Sequence, residues 1–76
     1  MFDKLKELLV EELQLNADDI KPEAELVNDL GINSLELADL ILLCEDTFSI
    51  EVDDKVIGNF ITVGDVVGYL DSVVKD

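Results

Sequence analysis

The sequence predicts an all-α fold, a small bundle of three longer helices and one short helix, with a long ordered loop between the first and second helices. Three observations predict it. Apolar residues recur at the i, i+3, i+4 spacing of a helix face in three separate segments. No stretch alternates apolar and polar residues for long enough to make a strand. The chain has only 76 residues, 49% of them apolar, and a domain of that size buries roughly 60% of the surface its unfolded form exposes. One modest core is expected, in a single domain over residues 1–76.

The first helix is expected over about residues 3–15. Leu5, Leu8, Leu9 and Leu13 recur at helical spacing, with Lys4, Lys6, Glu7, Glu11 and Glu12 between them as a solvated face. Asn16 and the pair Asp18-Asp19 end it. Residues 16–33 form a long connection that holds the sole proline, Pro22. A connection of this length in a compact domain is functional or hides a further element, and Ile20, Leu26 and Leu30 are spaced to pin it onto the core. The second helix is expected over 34–48, where Asn33 and Ser34 are both suited to cap its N-terminus. "IEVDD" breaks that helix, and "DKVIGNF" can make a short third one. Thr62 opens the last helix, with Asp65 three residues on as a relative of the capping box. Val63, Val66, Val67, Leu70, Val73 and Val74 then follow the helical period. Valine favours strands when nothing else intervenes, but period is the stronger signal.

Nineteen acidic residues face five lysines, with no arginine and no histidine, and the formal net charge is −14. Such a chain repels phosphate backbones and anionic lipid, which argues against nucleic-acid and membrane-surface roles. Proteins with basic patches are the partners that its field would steer in. No apolar run approaches the roughly 20 residues of a membrane span, and the N-terminus lacks the organisation of a signal peptide. One cysteine, Cys44, cannot form an internal disulfide. A reducing, cytoplasmic location is expected.

The available chemistry is narrow, and no enzyme is expected. Without histidine there is no Ser-His-Asp triad, and Ile32 and Glu36 stand where a G-x-S-x-G elbow around Ser34 needs glycine. A zinc site needs several Cys or His ligands, and the chain offers one. An EF-hand wants oxygen ligands at positions 1, 3 and 5 ahead of a glycine at 6. Counting back from Gly58 gives Asp53, Lys55 and Ile57; from Gly31 it gives Leu26, Asn28 and Leu30. No metal is expected.

On a helical wheel of the second helix, at about 100° per residue, Leu37, Leu40, Ile41, Cys44 and Phe48 share one face, expected to be core. Cys44 reads there as a small buried hydrophobe. Leu35, Asp39, Leu42 and Asp46 share the opposite face, flanked by Glu36 and Glu45. An apolar pair ringed by carboxylates at the mouth of a helix reads as a docking surface.

"LVNDLGINSLELADLILLCEDTF" resembles the core of the acyl carrier proteins, whose signature runs D-L-G-x-D-S-L into an acidic helix. The resemblance extends over nearly the whole chain. The N-terminal helix, the anchored loop, the phenylalanine that ends the second helix, "IEVDD" and "ITVGDVVGYL" all stand in matching order. It implies that Ser34 is the attachment point of 4'-phosphopantetheine, set from coenzyme A by a phosphopantetheinyl transferase. Asp29, Leu30, Gly31 and Asn33 supply the motif around it. Acyl groups would then be carried as thioesters, in fatty-acid or related biosynthesis, by a monomer that is a carrier and not a catalyst. Leu35, Glu36, Asp39, Leu42, Glu45 and Asp46 would be read by acyl-transferring and chain-elongating enzymes with basic docking patches. The bundle would open to shelter the cargo between its second and last helices. The family's aspartate before the serine is Asn33 here, an equally good cap with one charge fewer to offer the transferase. Two other readings stand beside this one: a carrier of aminoacyl, peptidyl or polyketide units, and an unmodified acidic interaction module.

Overall fold

The computed structural model describes residues 1–74. Four α-helices follow one another, α1 (Phe2–Leu13), α2 (Ser34–Phe48), α3 (Asp54–Ile57) and α4 (Val63–Val73). Among the described residues there is no strand, and no helix is long and apolar enough to cross a membrane. The all-α expectation, with three longer helices and one short one, holds.

α1 lies against both α2 and α4. Leu5 and Leu9 are fully buried, and Leu8 and Leu13 pack half-buried beside them, as their spacing requires. The helix stops two residues before the expected end because Gln14 turns left-handed, at φ 55°, with its amide donating to the Leu9 carbonyl. That reversal carries Leu15 back against the core.

The long connection does hold a further element. Asn16 accepts a hydrogen bond from the Asp18 amide and caps a single 3-10 turn, Ala17–Asp19. Beyond it, residues 22–26 run antiparallel to the start of α4. The Leu26 amide donates to the Ile61 carbonyl, Val63 to Ala24 and Gly64 to Pro22, at 2.8, 2.9 and 2.8 Å. One isolated bridge pair, Glu25 with Thr62, marks this alignment. Ile20 and Leu26 anchor the loop as expected, but Leu30 is only half-buried, and Ile32 and Ala24 complete the anchoring.

Leu40, Ile41 and Cys44 are the buried face of α2, with Leu37 and Phe48 half-buried at its ends. Ser49 ends that helix in the left-handed conformation. α3 is one turn, capped by Asp53 accepting from the Lys55 amide. α4 buries Val63, Val66 and Leu70. Val67 and Val74 are half-buried, whereas Val73 is exposed, and Val74 lies past the helix in extended backbone. Phe60 meets the Tyr69 ring edge-on, 5.7 Å between centroids, and the Tyr69 hydroxyl reaches the Glu51 carbonyl at 3.4 Å. No charged or polar side chain is buried among the described residues.

Candidate functional site

Ser34 is the first residue of α2 and is exposed. It does not cap the helix. Asn33 does, its Oδ1 accepting from the Glu36 amide at 2.8 Å while its own amide donates to Glu36 Oε1 at 3.3 Å. No hydrogen bond engages the Ser34 hydroxyl among the described residues. Its oxygen is therefore available to solvent and to a reacting partner.

The motif ahead of the serine shapes the loop that presents it. The Asp29 carboxylate accepts from the Glu25 amide at 2.7 Å, and the Asp29 and Leu30 amides donate back to the Glu25 carbonyl at 2.9 and 3.0 Å. Asn28 adds a bond to the Glu25 side chain at 3.0 Å. Leu30 packs against the core. Gly31 then takes φ 70°, a region that a side chain disfavours, and its amide bonds the Val27 carbonyl at 3.1 Å. Ile32 drives into the core, 1% exposed, with its amide on the Leu26 carbonyl. Asn33 and Ser34 emerge from this closed turn at a fixed position.

The serine sits where a phosphate ester is best tolerated. The amides of a first helical turn precede the first intrahelical bond, and the dipole presents its positive end there. Glu36, the nearest carboxylate along the helix, is turned back into the capping box. The residues present thus fit a phosphodiester on Ser34.

Along α2, Leu35 and Leu42 are 78% and 61% exposed, with Asp39 and Asp46 exposed beside them. The other two carboxylates expected on this face are engaged within the chain. Glu36 closes the cap, and Glu45 is half-buried with its Oε2 accepting from the Val52 amide at 2.9 Å. The sequence reading of the face left out a neighbour. The C-terminal end of α1 brings Glu12 and Leu13 alongside, and together with Leu43 they line an open groove of about 350 Å³ with Asp39, Leu42 and Asp46. The crossing of two helices is not visible in either one's periodicity.

Cys44 is fully buried, and its thiol is pushed up to about 11 by burial and secondarily by the Glu45 charge. It stays protonated at neutral pH and offers no thiolate. Among the described residues no group of three or more acidic, cysteine or histidine side chains could hold a metal.

Residues 3–70 match the family model described as phosphopantetheine attachment site. The chain belongs to the phosphopantetheine-attachment family of acyl carrier proteins. Its relatives in that family include the acyl carrier protein of Wolinella succinogenes, 40% identical over 72 residues that cover 95% of each chain. That of Clostridium perfringens is 43% identical over 70 residues and 92% of each chain. That of Campylobacter jejuni strain RM1221 is 39% identical over 74 residues, 97% of this chain and 96% of the relative. This carrier-family match runs through α1, α2 and most of α4, so it includes both the serine and the face beside it.

Proposed function

We propose that Ser34 is the residue that carries 4'-phosphopantetheine and that the chain serves as an acyl carrier protein. The observation that carries this reading is an exposed serine hydroxyl at the N-terminus of α2, left unbonded because Asn33 takes over the cap. Attachment is a phosphoryl transfer. The Ser34 oxygen attacks the phosphorus next to the pantetheine arm in coenzyme A, and the bond to adenosine 3',5'-bisphosphate breaks. The hydroxyl proton passes to a base on the transferase. The bound arm supplies a terminal thiol on which acyl groups are held as thioesters. The chain's own residues do the rest. Asp29 and Gly31 fix the loop, Asn33 and Glu36 close the helix behind the serine, and Leu35, Asp39, Leu42 and Asp46 face outwards to enzymes with basic patches. Glu36 and Glu45 support that face from within. The partners in this reading are a phosphopantetheinyl transferase and the acyl-transferring and chain-elongating enzymes of fatty-acid or related biosynthesis, met in the cytoplasm.

Intact mass tests it, before and after incubation with coenzyme A, magnesium and a broad-specificity phosphopantetheinyl transferase. The expected result is a gain of one phosphopantetheine that the Ser34→Ala variant does not show. Asn33, which stands in place of the family's aspartate, is the observation behind a second reading, an unmodified docking module. An unchanged mass, while a standard carrier in the same tube is modified, would favour that second reading. Asn33→Asp then distinguishes a transferase that needs the charge from a serine that is never modified.

A further inference from the structure

We infer that the Asn33 side chain has a second role beside capping: its Nδ2 hydrogens hold a phosphate ester on Ser34. The inference deepens the carrier reading, on which it rests for the identity of the ester, and names Asn33 as the side chain that binds the root of the arm.

The cap fixes which end of the carboxamide is left over. The Glu36 amide can only donate, so the Asn33 atom 2.8 Å from it is the oxygen, and the NH2 group is the other terminus. Asn33 is exposed, and no hydrogen bond engages its Nδ2 among the described residues. Two donor hydrogens are thus unused on the residue next to Ser34. The backbone adds to them. The cap takes the Glu36 amide, and the Asn33 carbonyl takes the Leu37 amide. The Ser34 and Leu35 amides are left as the unbonded ones of the first turn.

The carboxylates that flank Ser34 in the sequence are both engaged. Asp29 accepts from the Glu25 amide and Glu36 from the Asn33 amide. A phosphate ester on Ser34 therefore has donors on both sides of it along the chain and no unengaged carboxylate between Asp29 and Glu36. An aspartate at position 33 would cap the helix equally well. It would, however, present a negative oxygen where Asn33 presents two donors. The sign of the interaction reverses: the carboxamide attracts the ester, whereas a carboxylate repels it.

The chain is short enough for total synthesis, so phosphoserine can be placed at position 34 as a stand-in for the ester, with no transferase involved. Its second pKa, about 6, is read by 31P NMR. A donor held against the dianion lowers that value, and a like charge raises it. Asn33→Gly removes the carboxamide at little cost to the helix start, and Asn33→Asp keeps the cap and adds a charge. The phosphate pKa is expected to be lowest in the parent, higher by about half a unit in Asn33→Gly, and higher again in Asn33→Asp. In the parent itself the Asn33 side-chain NH2 signals should move downfield as the phosphate ionises, while those of Asn16 and Asn59 stay in place. That readout holds even where the glycine variant loosens the helix start. Equal pKa values in the parent and Asn33→Gly, or Asn33 NH2 signals that ignore the titration, would overturn the contact. The Ser34 mass assay decides the carrier reading separately. A chain that gains the arm but shows no pKa difference keeps the carrier and loses the contact. A chain that shows the pKa order and never gains the arm keeps the contact and loses the carrier.

Discussion

Gly64 and Gly68 lie one turn apart on α4, and the same substitution has opposite consequences at the two. A Cβ on Gly64 would stand 2.9 Å from the Pro22 carbonyl oxygen. The Gly64 amide already donates to that oxygen at 2.8 Å, so neither backbone can retreat without breaking the bond that seats the loop. Gly64→Ala is expected to cost about 1–3 kcal/mol, the range for over-packing a tight contact. Gly68 is exposed, and a Cβ there meets nothing within 4 Å. Gly68→Ala is expected to add about 0.8–1 kcal/mol, the helix-propensity difference. For a chain of this size each kcal/mol moves Tm by roughly 4–8 °C, so thermal melts of the two variants should shift in opposite directions. A Gly64→Ala protein that melts no lower than its parent would contradict the close approach. Nothing in the sequence near Gly64 points to Pro22, because the contact is made across the fold. The choice between Asn33 and Ser34 as cap was legible, by contrast. Glu36 stands three residues after Asn33, as a capping box requires, whereas Leu37 stands three after Ser34 and cannot close one.

Helix periodicity found the three longer helices but not the 3-10 turn at Ala17–Asp19, and errors collected at helix ends, where single residues turn the chain. α1 ends at Gln14 because of one left-handed residue, and α4 ends at Val73, so that Val74 packs on the core from extended backbone beyond the helix. The start of α4 was readable because both halves of its capping box are side chains in the sequence. Thr62 Oγ1 accepts from the Asp65 amide at 3.2 Å, and Asp65 Oδ2 accepts from the Ile61 and Thr62 amides at 3.0 Å each. Those bonds, the Thr62 amide first and then that of Ile61, hold the Asp65 carboxyl below its ordinary value of 3.8. A carboxyl whose folded pKa is depressed adds stability that is complete above its unfolded pKa and is lost as pH falls through the folded value. Asp65→Asn removes that titration. The variant should melt below its parent at neutral pH, and the gap should close as pH drops beneath 3.8. Comparing the two proteins cancels the effect of the other carboxylates, which both share. A gap that stays constant down to the acid limit would mean that the Asp65 bonds do not depend on its charge.

At the scale of the molecule, charge and size together decide how the protein answers salt. The described chain measures 27 × 24 × 20 Å. At about 0.01 M salt the screening length is about 30 Å, longer than any of those dimensions, so every carboxylate feels every other; at about 0.15 M it is about 8 Å, and only near neighbours interact. With a formal charge of −14, the compact state suffers more self-repulsion than the extended one. A pair within reach, the N-terminal amine with Asp71 at 4.0 Å, lies at the edge of contact and contributes little against it. Sodium chloride is therefore expected to raise Tm, steeply at first and then flattening as the screening length shrinks below the spacing of adjacent carboxylates. Magnesium at equal ionic strength should raise it further, because a divalent ion also gathers at clustered carboxylates. The same screening should weaken a basic peptide's encounter with the surface, so folding and docking are expected to respond to salt with opposite signs. Melting curves and peptide titrations across one salt series check both. A Tm that is flat between about 0.01 and 0.15 M salt would mean that the acidic residues are spaced widely enough not to oppose folding, and the net charge would then bear on docking alone.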